Sequence, residues 1–289
     1  MYPASFGYSA PTTLDDALVL LAEHGDDAKV LAGGHSLLPL MKLRFAQPAF
    51  LVDLRRITSL SGISRAPDGL KIGAMTTHAV VAASADVRAL VPMLADAASH
   101  IGDPQVRNRG TIGGSIAHAD PAADLPAVML AADAQMTAVG RRGSRIIAAG
   151  DFFVGMLESA LAADEVLTEI RIPLPAARTG GAYAKCRHPA SRYALIGVAV
   201  HVELGANGTV AASRIGITGM GPRAVRVATA EQLLAGKAPN AETLRAAAAQ
   251  VASSVDPQED LQGDVAYKRN LAQVYALRAL SEAVRRAGG

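Results

Sequence analysis

Arg109-Gly110-Thr111-Ile112-Gly113-Gly114-Ser115-Ile116-Ala117-His118-Ala119-Asp120-Pro121-Ala122-Ala123-Asp124-Leu125-Pro126 is the stretch on which the reading of this chain turns. Thr111 to Ser115 strings backbone N–H groups along a turn with almost no side-chain bulk, a concave row of donors suited to a phosphate. Asp120 followed by Pro121 predicts a helix start, with Asp120 as N-cap and Pro121 at the first helical position. Asp124 would repel a phosphate held against it, but it accepts hydrogen bonds from sugar or ribityl hydroxyls. A ligand with both phosphate and hydroxyls fits the pair, which points to a nucleotide-type cofactor.

About 80 residues earlier comes an echo, Leu31-Ala32-Gly33-Gly34-His35-Ser36-Leu37-Leu38-Pro39, directly after the strand-like Lys29-Val30-Leu31. One Gly-Gly alone is a turn. Two strand-exit Gly-Gly loops in one chain, the second followed by a capped helix with an internal Asp, point to a ligand. Neither matches the dinucleotide fingerprint or the P-loop ending Gly-Lys-Ser/Thr.

Composition narrows the class. The chain has 289 residues, half of them hydrophobic and 19% charged, which is globular and long enough for two or three subdomains. A net charge of +2 without a basic stripe, and aromatics at 4% with no Trp, exclude a nucleic-acid surface. No apolar run approaches the roughly 20 residues of a membrane span. The N-terminal Met-Tyr-Pro-Ala-Ser-Phe lacks a charged-then-apolar leader, so the expected location is cytoplasmic. A single cysteine, Cys186, excludes a disulfide framework and a multi-thiolate metal or iron–sulfur site in this chain. It reads as a packing residue.

In chain order, residues 13–24 read as a helix with Thr13 as N-cap and Leu14, Ala17, Leu18 and Leu21 on one face. Phe50 to Asp53 and Leu70 to Gly73 read as strands. Val87, Leu90, Leu94, Ala97, Ala98 and Ile101 keep helical spacing. Met136 to Val139 and Arg145 to Ala148 read as strands, and Val166 to Ile172 alternates as a half-buried strand does. Pro173 to Gly181, rich in Pro, Ala and Gly, marks the main boundary. Beyond it, Ala182 to Lys185, Ala194 to Glu203 and Val210 to Thr218 predict an antiparallel sheet, and residues 223–235, 240–253 and 264–286 predict helices.

The loops Ala32 to Lys42 and Arg107 to Ser115 resemble those of the FAD-binding medium subunits of the xanthine oxidase, or molybdenum hydroxylase, family. The strongest likeness is to the aerobic carbon monoxide dehydrogenase branch, and it runs from Phe6 through the Asp260–Lys268 region. The resemblance implies an α+β fold of PCMH type. Two N-terminal α/β subdomains, residues 1–57 and 58–177, each supply one FAD loop, and a C-terminal domain, 178–289, adds an antiparallel sheet and three helices.

Ala32, Gly33, Gly34, His35, Ser36 and Leu37 on the first loop, with Thr111, Ile112, Gly113, Gly114 and Ser115 on the second, become candidate FAD contacts. His35 is expected to act through its main chain. His118 is either a flavin contact or a structural loop residue. Arg107 and Arg109 either steer an anion or make surface or subunit pairs. Asp124 is the ribityl acceptor, and Asp120 is structural. By the resemblance alone, Ile101, Leu167, Lys185 and Tyr193 also fall at cofactor positions, Tyr193 in the loop His188-Pro189-Ala190-Ser191-Arg192-Tyr193. That loop differs from the more basic one of the carbon monoxide enzymes, so the flavin assignment does not bring carbon monoxide with it.

No acid–base pair, activated nucleophile, second dinucleotide fingerprint or metal-ligand set stands near these loops, so no catalytic or metal-ligating residue is assigned. A bound flavin links one-electron and two-electron carriers. The resemblance supplies the source of electrons: a small subunit with two [2Fe–2S] clusters, fed by a large molybdenum-pterin subunit, in an (LMS)2 assembly that passes electrons to an external acceptor. Two alternatives stay open. One is a stand-alone FAD-dependent oxidoreductase of the same wider fold; the other is a phosphate-binding module without redox work.

Overall fold

The computed structural model describes residues 2–288. The first sheet comes from the N-terminal stretch: β1 (Gly7–Ser9), α1 (Leu14–His24), β2 (Ala28–Leu31), α2 (Leu37–Lys42) and β3 (Phe50–Asp53). Its strands run parallel in the order β1-β3-β2. α1 begins where its cap and its apolar face predict. The Thr13 hydroxyl accepts from the Asp16 N–H at 3.1 Å, and Ala17, Leu18 and Leu21 are buried.

The second sheet is antiparallel, in the order β4-β5-β10-β6-β7. It is built from β4 (Ile63–Ala66), β5 (Gly69–Gly73), β6 (Gln135–Gly140), β7 (Gly143–Ala148) and, after a small β8 (Phe153–Gly155) and β9 (Glu158–Ser159) hairpin, β10 (Val166–Ile172). Between β5 and β6 run α3 (His78–Ala83), α4 (Ala85–Leu90), α5 (Pro92–His100), α6 (Pro104–Arg109), α7 (Ile112–His118) and α8 (Asp124–Ala131); the short α9 (Ala149–Phe152) follows β7. The third sheet, order β11-β12-β13-β14, is antiparallel and comes from β11 (Thr179–Arg187), β12 (Ala194–Leu204), β13 (Val210–Thr218) and β14 (Val225–Arg226). α10 (Ala228–Leu234), α11 (Ala241–Ser253) and α12 (Val265–Gly288) complete the chain. Among the described residues no helix is long and apolar enough to cross a membrane.

Four local expectations are corrected. The helical spacing from Val87 to Ile101 is two helices, because Pro92 has no N–H to continue the ladder and Val91 turns to φ −139°, ψ 63°. The segment 223–235 divides into β14 and α10, since Val225 and Arg226 pair with β13. The second Gly-Gly is no strand exit: it follows α6 and lies inside α7, whose N-cap is Thr111. The helix expected to start at Asp120 starts at Asp124.

The last correction has a tertiary cause. The Pro121 carbonyl accepts from the Thr218 hydroxyl at 2.6 Å and the Gly219 N–H at 2.8 Å, and the Ala123 carbonyl accepts from the same hydroxyl at 2.9 Å. The Pro121 carbonyl has both lone pairs taken by the third sheet and cannot accept the helical bond that a start at Pro121 requires. Ala123 keeps a lone pair and serves as the N-cap of α8. Asp120 instead closes a turn, accepting from the Ala122 N–H at 2.8 Å. Every residue of α8 is buried, as expected of a helix apolar on all sides, and it packs on β12 and β13 as well as α5 and α7. The one carboxylate it carries, Asp124, is therefore held rigidly.

Candidate functional site

A cleft of about 880 Å³ runs between the first and second sheets and under the β11–β12 loop. The two glycine bends meet along it. A Cβ at Gly33 would collide with the Arg109 carbonyl oxygen and come within 2.7 Å of Gly110 Cα. One at Gly114 would stand 2.8 Å from Thr111 Oγ1 and 3.3 Å from Ala32 Cβ. The bends are thus in backbone contact, which only missing side chains permit.

Their N–H groups differ in availability, and this corrects the donor row expected at Thr111–Ser115. Ile112 N–H bonds Thr76 O at 2.9 Å and Gly113 N–H bonds Ala74 O at 2.8 Å. Gly114 N–H bonds Thr111 Oγ1 at 3.1 Å and Ser115 N–H bonds Thr111 O at 3.1 Å. In the first bend the Gly34 and Ser36 carbonyls accept from Leu38 and Leu40, but the N–H groups of Gly33, Gly34, His35 and Ser36 have no acceptor among the described residues. The unused donors belong to the first bend, which is the part of the cleft that suits a phosphate.

The sites named from sequence distribute unevenly. Ala32, Gly33, Gly34, His35, Ser36, Leu37, Ile101, Thr111, Gly114, Ser115, His118, Asp124 and Tyr193 all line the cleft. Ile112 and Gly113 do not: Ile112 is fully buried, and a Cβ on Gly113 would meet Ala74. Leu167 is buried in β10 as part of the core. Lys185 stands behind the wall, with Nζ 2.8 Å from Asp124 Oδ2 and 3.2 Å from His100 O. Arg107 donates to Ile101 O at 3.0 Å. Cys186 is a free, half-buried thiol against the C-terminal core.

Asp124 is 5% exposed. Its Oδ1 accepts from the Tyr183 hydroxyl at 2.5 Å and its Oδ2 from Lys185. Burial pushes its carboxyl above the ordinary range, while Lys185 and Tyr183 oppose this. Burial and the Asp124 carboxylate hold the Tyr183 phenol well above its usual value. Tyr193 is half exposed over the cleft; burial raises its phenol, with Asp120 and Asp124 adding and Ser36 opposing. Its loop is tied by His188 Nδ1, which accepts from the N–H groups of Ala190 and Ser191.

Sequence reading missed two parts of the wall. His78, at the start of α3, is 4% exposed; burial lowers its pKa to about 4, helped by the nearby His35 and Arg107. Its Nδ1 is buried without a hydrogen-bond partner. His118 is likewise lowered by burial, with Asp120 opposing, so both imidazoles are uncharged near neutral pH. The Thr77 cap was a local signal for α3, but no local signal marked His78 as a cleft residue. The hairpin and loop from Leu157 to Glu165 form the facing wall, with no motif to announce them. No His/Cys/Asp/Glu group that could hold a metal occurs among the described residues.

Backbone donors at one end, a buried carboxylate farther along and largely apolar walls fit a dinucleotide with phosphates and polyol hydroxyls. Comparison with known proteins agrees. Residues 4–175 match the FAD binding domain in molybdopterin dehydrogenase, and residues 181–283 match the CO dehydrogenase flavoprotein C-terminal domain. The chain is 44% identical to the carbon monoxide dehydrogenase medium chain of Hydrogenophaga pseudoflava over 98% of both chains. It is 37% identical to subunit alpha of the 6-hydroxypseudooxynicotine dehydrogenase complex of Paenarthrobacter nicotinovorans, over 99% of this chain and 97% of that one. A solved structure of the Hydrogenophaga pseudoflava carbon monoxide dehydrogenase superposes with a TM-score of 0.95 at 46% identity, covering 99% of each chain. The chain belongs to the FAD-binding medium chains of the carbon monoxide dehydrogenase and xanthine dehydrogenase family, which are flavoprotein oxidoreductase subunits.

Proposed function

We propose that this chain is the electron outlet of a cytoplasmic (LMS)2 molybdenum hydroxylase, receiving electrons from the [2Fe–2S] clusters of a small subunit and delivering them to an external acceptor. The observation that carries this reading is the backbone contact of the two glycine bends along one cleft, with free N–H groups on the first. Gly33 to Ser36 hold the FAD diphosphate, and Thr111, Gly114 and Ser115 close the other side. Asp124 accepts ribityl hydroxyls, Lys185 backs Asp124, and Ile101, His118 and Tyr193 border the flavin. Leu167 supports the site from β10. Bound there, the flavin exchanges electrons singly or in pairs. The stretches 1–57, 58–177 and 178–289 act as the two FAD-loop subdomains and the C-terminal domain.

Substrate choice lies on the large subunit. Two similar chains come from enzymes named for substrates as unlike as carbon monoxide and 6-hydroxypseudooxynicotine, which supports selection elsewhere. Native purification tests the proposal. The expected product is a yellow complex that releases FAD on denaturation and contains iron and molybdenum in two partner chains. A chain that turns over a small substrate alone, with neither partner, refutes it.

A further inference from the structure

Tyr183 and Lys185 are two residues apart on β11 and so share one face of the sheet. Both reach Asp124, one on each carboxylate oxygen. Gly197 of β12 is the cross-strand partner of Lys185 and the diagonal neighbour of Tyr183. A Cβ at Gly197 would overlap the Tyr183 hydroxyl and lie 2.8 Å from Cζ and 2.9 Å from Thr218 Cγ2. The tyrosine hydroxyl therefore occupies a notch that only glycine leaves.

We propose that Tyr183, seated in the Gly197 notch, is a positioning residue that fixes the Asp124 carboxylate at the cofactor cleft, presenting it to the ribityl hydroxyls in one orientation. The inference rests on the FAD reading above. If Tyr183 served only to fill the core, phenylalanine would bury the same ring without the hydroxyl, which is the group that reaches deepest into the notch and the one that bonds Asp124. The hydroxyl makes a short, charge-assisted bond of 2.5 Å on a rigid ring, whereas the Lys185 ammonium sits on a flexible stem. With one protein donor on each oxygen, the carboxylate keeps one lone-pair site per oxygen for a ligand. Rotation of Asp124 would break both bonds at once.

The test uses the whole chain freed of FAD, titrated with FAD by flavin fluorescence from about pH 5 to about pH 8, with ADP as competitor. ADP carries the diphosphate and no ribityl chain. Tyr183→Phe is expected to weaken FAD about tenfold at neutral pH and to move the acid limb of binding up by about one pH unit, because Asp124 loses a donor to its ionised form. ADP affinity stays as in the parent. Gly197→Ala reproduces the effect by displacing the hydroxyl and the ring end that carries it.

Parent-like FAD affinity and acid limb in Tyr183→Phe overturn the inference. So does an equal loss of ADP, which would mean a general collapse of the cleft. If the unsubstituted chain binds ADP and FAD, the cofactor reading stands whatever Tyr183 does. If it binds neither, the reading and the inference fall together.

Discussion

Gly33→Ala isolates the contact between the two bends. Gly33 is not among the glycines with positive φ, so alanine strains nothing in its own backbone and the effect is steric. The new Cβ would stand 2.7 Å from Gly110 Cα, with the Arg109 carbonyl closer still. Non-bonded carbons rest roughly 3.5–4.0 Å apart, so the bends must part by roughly 1 Å. A displacement of that size takes N–H groups aimed at a phosphate from hydrogen-bond distance to about 3.9 Å, beyond useful range. Loss of two such bonds to a charged group, at about 1.5 kcal/mol each, is about 3 kcal/mol. That is about a hundredfold in the FAD dissociation constant. Overpacking also costs about 1–3 kcal/mol of fold stability, readable as a lower melting temperature. Flavin fluorescence titration and thermal melts of Gly33→Ala are compared with Gly221→Ala, whose Cβ would meet nothing within 4 Å. A dissociation constant within about threefold of the parent refutes the phosphate role of the first bend.

Gly114→Val places a branched side chain against Thr111 Oγ1 and Ala32 at the cleft wall, and should cut FAD occupancy about tenfold or more while far-ultraviolet circular dichroism is unchanged. Lys185→Met leaves the buried Asp124 without its cation and should cost about 3 kcal/mol at neutral pH. The Asp124 carboxyl, already raised in the fold, rises further in this variant, so its deficit against the parent in urea unfolding should narrow as pH falls. His78 has the opposite sign. Its folded pKa of about 4 lies below the unfolded value, so it contributes stability above the ordinary histidine range that is lost as pH falls through about 4. His78→Gln should remove up to about 3 kcal/mol of that acid-side loss, measured as a flatter dependence of unfolding free energy on pH.

Elements whose causes are local could be read from the chain. α1 is set by the Thr13 cap and an apolar face within eleven residues, and β10 by its own alternation between Val166 and Ile172. α4 and α5 kept the right apolar face, because Val87, Leu94, Ala97 and Ala98 are all buried, but the break between them needed Pro92 to be weighed against the periodicity. α6, Pro-Gln-Val-Arg-Asn-Arg, has too little apolar pattern to be recognised from periodicity; its local marks are the Asp103 cap and Pro104 at the first helical position.

The cleft shows the limit more sharply. Both glycine bends stand out as composition, yet a row of N–H groups binds an anion only if nothing in the protein has taken it first. That is decided by segments far away in sequence. The chain from Ala74 to Thr76 consumes the donors of Ile112 and Gly113, and Thr111, as a helix cap, consumes that of Gly114. The bend at Gly33 has no such neighbour, so the plainer of the two motifs keeps its donors. The same logic explains Asp124. Its place at the first position of α8 follows from Thr218 and Gly219 claiming the Pro121 carbonyl, and its orientation follows from Tyr183, a residue that resembles any other core aromatic until Gly197 is seen diagonally across from it. Small residues mark where a ligand can approach. Which atoms are left to receive it depends on hydrogen bonds between distant strands and helices, and those appear only when the sheets are assembled.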